Sequence, residues 1–88
     1  MLQWVLRTLT RKGIRAGMVN RNTIVYFEDG RKMTIGGEMI RGGIVIHRST
    51  ILSWDDSNGE LITESERERI TGNLMEYLKS QGEEVFVE

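Results

Sequence analysis

The chain has 88 residues, 39% of them hydrophobic and 28% charged; at this size folding buries roughly 60–65% of the unfolded surface, enough for one core and too little for two lobes around a deep cleft. There is no cysteine, which excludes disulfides and thiolate metal centres, and no uncharged run approaches the roughly 20 residues that a membrane span requires. The net charge of −1 conceals a split: residues 1–48 hold nine Lys/Arg against three acids, a surplus of +6, and residues 49–88 hold three against ten, a surplus of −7.

The chain opens Met1-Leu2-Gln3-Trp4-Val5-Leu6, with Arg7, Arg11 and Lys12 following. A secretory signal places its basic residues first, so a cytoplasmic protein is expected. Leu2, Val5, Leu6 and Leu9 share one helical face. The expectation is a short N-terminal helix over residues 1–13, ended by Gly13. Arg15 to Asn22 reads as an irregular link.

Thr23 to Glu28 is β-branched and aromatic and runs into Asp29-Gly30, a strong hairpin signal. The return strand, Arg31 to Ile35, alternates, with Met33 and Ile35 on one side. Gly36-Gly37 is expected to break it, leaving Glu38-Met39-Ile40 as a short piece. After Gly42-Gly43, Ile44 to His47 is a third strand. Thr50 to Trp54 is a fourth, or an extended edge segment. A polar loop, Asp55 to Gly59, follows.

Thr63-Glu64-Ser65-Glu66 fits a capping box. Ile70, Leu74, Tyr77 and Leu78 then form an apolar stripe. The helix should span residues 63–80, with Gly82 just past its end. Residues 83–88 alternate and form a candidate last strand. The expected fold class is α+β: a small antiparallel sheet of about four strands, within 22–54, packed against one main C-terminal helix, with a short N-terminal helix, all in a single domain.

Signals for catalysis are weak. His47, the one histidine, lies inside a strand near Ser49, Ser53 and Asp55, whereas a triad draws on separate elements that converge. The paired glycines lack the Lys-Ser/Thr of a phosphate loop. Asp55, Ser57 and Gly59 do not supply the alternating acids of a calcium loop. No catalytic residue, cofactor or metal is expected. The basic residues carry no nucleic-acid-binding motif, and the pI of about 5.9 opposes one. Glu38, among small and apolar residues, is read as a turn cap or as a partner of Arg41 or Arg48. Trp54 is either a core residue or an interface anchor ringed by acids.

Thr23 to Lys32, Gly37-Glu38-Met39-Ile40, Gly42-Gly43, Trp54-Asp55-Asp56, Ile62-Thr63 and the helix start Glu66-Arg67-Glu68-Arg69-Ile70 together resemble immunity protein family 74 of bacterial polymorphic toxin systems. The resemblance covers roughly Asn22 to Leu78 and leaves out Met1 to Lys12. It implies an α+β protein that binds and neutralises a cognate toxin without catalysis. Many such toxins are nucleases with basic clefts, and an acidic inhibitor is steered to a basic partner. The candidate partner-binding residues are Trp54, Asp55, Asp56, Glu60, Glu64, Glu66 and Glu68. The alternative is a self-assembling or regulatory adaptor, a homo-oligomer whose basic and acidic halves pair between copies. A small metal- or nucleotide-dependent enzyme is a third reading.

Overall fold

A computed structural model describes residues 13–88. The helix expected over residues 1–13 lies, but for Gly13, outside them. The described chain forms strands β1 (Arg15–Asn20), β2 (Thr23–Glu28), β3 (Arg31–Ile40) and β4 (Gly43–Ile46). A single 3-10 turn (Arg48–Thr50), a helix α1 (Glu64–Ser80) and a short strand β5 (Val85–Val87) follow. The class is α+β, as expected. The sheet, however, has five strands in the order β1-β2-β3-β4-β5 and is mixed. Three neighbouring pairs are antiparallel, and β4 and β5 run parallel, with α1 between them in sequence. Such a crossover is what a parallel pair requires.

Three expectations need correction. First, Arg15 to Asn20 is a strand, not a link. Its Ala16 and Met18 stand opposite Tyr26 and Ile24 and pack against the core. The segment is weak in β propensity; pairing with β2 decides its conformation, as tertiary context commonly does. Second, Gly36-Gly37 does not break β3, which continues for ten residues. Gly37 is buried where a Cβ would run into the Ile24 side chain and stand 2.8 Å from the Val45 carbonyl oxygen. The glycine therefore marks a close approach of chains within a strand. Third, Thr50 to Trp54 is not a strand. The 3-10 turn takes its start, and irregular chain follows. Ile51 and Trp54 turn inward from it, while Leu52 stays exposed.

The β2–β3 hairpin forms as expected. Asp29 and Gly30 both have positive φ, 51° and 83°, as a two-residue type I′ turn demands, and Glu28 faces Arg31 across it. The core lies between one face of the sheet and α1. Ile24 and Tyr26, Met33 and Ile35, and Ile44 and Ile46 come from alternating positions of three strands. Ile70, Leu74 and Leu78 come from one helical stripe, and Ile51 and Trp54 close one end. Fully burying each such side chain contributes about 1.5–3 kcal/mol.

The ends of α1 match the sequence signals. The Thr63 side chain accepts a hydrogen bond from the Glu66 amide at 3.0 Å, worth about 1 kcal/mol. Gly82 sits at φ 90°, and the amides of Gly82 and Glu83 donate to the carbonyls of Lys79 and Leu78, closing the helix.

Candidate functional site

The loop from Trp54 to Ile62 and the first turns of α1 lie beside the β2–β3 hairpin. Two backbone bonds place the loop: Asp55 N–H donates to Lys32 at 2.9 Å, and Ile62 N–H donates to Leu52 at 2.8 Å. The seven candidate residues all fall in this region, in different roles.

Trp54 is 5% exposed. Its ring lies 6.2 Å from that of Tyr26, tilted by 32°. The Arg31 guanidinium covers it at 4.5 Å. Its indole N–H donates to Glu66 Oε2 at 3.1 Å. Glu66 thus does not complete a capping box; its carboxylate turns toward Trp54 and Arg69. Asp55, although exposed, also braces the loop. It accepts from the Thr34 amide at 3.0 Å and from the Thr34 hydroxyl at 2.8 Å, so it ties the loop to β3.

The remaining four acids are also exposed. Asp56 is bridged to Arg31 at 2.9 Å. Glu64 pairs with Arg48 and with Arg67, and Glu68 lies 3.9 Å from Arg48. Glu60 is exposed and held through its backbone by Ser57. Behind them, Arg69 bridges Glu28 at 2.5 Å, and the Tyr26 hydroxyl donates to Glu28 at 2.7 Å. Burial, reinforced by that carboxylate, pushes the Tyr26 phenol above its ordinary value, so it stays a proton donor.

These pairs fold the sequence's charge split back on itself. Arg31 and Arg48, from the basic half, meet Asp56, Glu64 and Glu68 of the acidic half. Two cations of the basic half and three acids of the acidic half are thereby paired within one chain.

The hydrogen bond from Arg31 holds the Asp56 carboxyl below the usual carboxylate range, and that from Arg48 does the same for Glu64. A carboxyl depressed on folding adds stability above its unfolded value and loses it as pH falls through its folded one. The urea midpoint should therefore fall as pH drops below about 4. Both groups are solvent-exposed, so molar salt should shrink that fall. An Arg31→Gln/Arg48→Gln variant that kept the same acid limb would contradict this account.

Two residues the sequence reading passed over stand out here. Leu61 is 70% exposed and Leu52 41%, and the Ile62–Leu52 bond brings their segments together. Leu61 adjoins Glu60, and Glu64 follows within one helical turn. The signal was present: an apolar residue beside an acid in a polar loop. It went unread because Trp54 drew the anchor role.

The remaining motifs resolve differently. His47 faces two glutamates, Glu88 at 3.1 Å from Nδ1 and Glu38 at 4.0 Å from Nε2. Glu38 is neither a turn cap nor a partner of Arg41 or Arg48; it lies within β3, opposite Val45. Among the described residues no group of three or more His, Asp or Glu could hold a metal ion. None of the described helices is long and apolar enough to cross a membrane.

The model of a protein family described as Immunity protein 74 matches residues 17–88 of the chain. No curated protein and no solved structure matches.

Proposed function

The chain belongs to the immunity protein 74 family, and from that premise we propose that it binds a cognate antibacterial toxin and neutralises it by occlusion, without catalysis, in the cytoplasm of the producing cell. The contact surface is the loop from Trp54 to Ile62 with the first turns of α1. Its exposed acids are Asp56, Glu60, Glu64 and Glu68. Trp54 and Glu66 act beneath it, and the exposed Asp55 ties the loop to β3. The apolar centre is Leu61 with Leu52.

The observation that carries this reading is the pairing of a largely exposed leucine with acids on one loop. Apolar contact supplies the binding energy of such an interface, and the surrounding charges steer and select the partner. A basic partner surface fits, and a nuclease, which must hold phosphates, is the class that best supplies one.

The test is co-expression with the cognate toxin domain, together with binding kinetics. Reversing Asp56, Glu60 and Glu68 to lysine should slow association by on the order of tenfold to a thousandfold at low salt and remove protection. Unchanged association would overturn the surface assignment. Absence of protection by the unaltered chain would overturn the immunity reading itself.

A further inference from the structure

Among the described residues, no strand lies beyond β5, which forms one edge of the sheet. Ile44 N–H donates to Glu84, Glu88 N–H to Ile46, and Arg48 N–H to Glu88, at 2.9, 2.9 and 3.1 Å. With the register Val45↔Phe86, the even-numbered residues of β5 bond toward β4. Alternation along the strand then turns the N–H and C=O groups of Val85 and Val87 away from β4. Among the described residues none pairs with these outward groups. Phe86 and Val87 are 47% and 41% exposed. An open groove of about 770 Å³ starts at the same end of β5, lined by Met39, Ile40 and Lys79 among others.

An edge with free backbone groups and exposed apolar side chains is a template for strand addition. Its charges decide what it accepts. In an antiparallel pair of two copies centred on Phe86, Glu84 of each copy would stand opposite Glu88 of the other. Like charges directly opposite destabilise a strand pair, so this register disfavours a second copy. Glu84, Phe86 and Glu88 share one face of the strand. A segment with lysine or arginine opposite the two glutamates and an apolar residue opposite Phe86 meets all three.

We propose that the β5 edge binds an extended segment of a partner protein as a sixth strand, and that it selects segments of the pattern basic-x-apolar-x-basic. The strand begins past the C-terminal end of α1 and runs back toward the helix start, where the Glu88 carbonyl accepts from the Arg48 amide beside Glu64 and Glu68; its outward backbone groups at Val85 and Val87 are distinct from the acidic loop. Backbone hydrogen bonds give the affinity and the alternating side chains the selectivity.

The experiment is a titration of the full chain, followed by backbone-amide NMR, with the peptide Lys-Thr-Ile-Thr-Lys, blocked at both ends, and its counterpart Glu-Thr-Ile-Thr-Glu. The lysine peptide should shift the Val85 and Val87 amides and slow their exchange, and should bind about tenfold more tightly than the glutamate peptide. Val87→Pro removes an outward N–H, which an edge strand tolerates, and should abolish the response. Glu84→Lys/Glu88→Lys keeps the strand and should reverse the preference between the peptides. No response at Val85 and Val87, or an equal response to both peptides, overturns the proposal. So does a response that grows with protein concentration alone, which would make a second copy the occupant.

Discussion

Alanine at Trp54 is expected to lower the unfolding free energy by about 3–5 kcal/mol, a large share of the 5–15 kcal/mol typical of a whole domain. The loss has three parts. The ring fills the end of the core beside Tyr26 and Ile51, and alanine leaves a cavity there. The indole N–H is a hydrogen-bond partner of Glu66, whose carboxylate keeps only Arg69 once it goes. The Arg31 guanidinium also loses the ring beneath it, a contact of about 0.5–1 kcal/mol at a partly exposed site. Trp54→Phe separates these contributions: it keeps most of the apolar volume and removes the N–H, and should cost about 1–2 kcal/mol. Urea unfolding followed by far-ultraviolet circular dichroism measures both. If Trp54→Ala unfolded within 1 kcal/mol of the parent, Trp54 would be a surface residue in effect and the loop would be held by something else.

That distinction was not available from the sequence. Trp54 beside two acids reads either as a core residue or as an anchor. What decides between them is Arg31 and Tyr26, 23 and 28 residues earlier in the chain. The legible elements were those whose signals are local. Asp29-Gly30 fixes its turn through two residues, and Thr63 caps α1 through the amide three positions on. The apolar stripe of α1 is likewise a local period. The illegible elements depend on a distant partner. β1 is a strand because β2 offers a ladder. Gly37 serves close packing because Ile24 and Val45 approach it. β5 pairs parallel with β4 only after α1 has returned the chain. The charge split was visible, but its resolution into Arg31–Asp56 and Arg48–Glu64 rests on separations of 25 and 16 residues. The candidate residues gather in one region of the structure but lie in different layers of it. Trp54, Asp55 and Glu66 hold the loop, and the exposed apolar residues there are Leu52 and Leu61.

Aspartate at Leu61 is the variant that tests this layering most sharply. Burying a leucine against a partner is worth about 1.5–3 kcal/mol, so its loss should raise the dissociation constant for the toxin by roughly 10–150-fold. The sign of the charge makes the result informative. Leu61→Asp makes the loop more acidic, so if charge alone drove binding to a basic toxin, the variant would bind as well as the parent or better. With an apolar centre, association should stay as fast or quicken while dissociation accelerates. The lysine reversals at Asp56, Glu60 and Glu68 should do the opposite, slowing association and leaving dissociation nearer its parent value, because exposed charges act mainly on the encounter. Leu61 is exposed and makes no core contact, so its substitution should leave the urea midpoint within about 0.5 kcal/mol of the parent, and lost binding cannot then be assigned to lost folding. If Leu61→Asp bound the toxin undiminished while the reversals abolished binding, the surface would be electrostatic throughout, with no apolar centre. If both variants bound normally, the toxin would engage another face, and the β5 edge would be the next place to look.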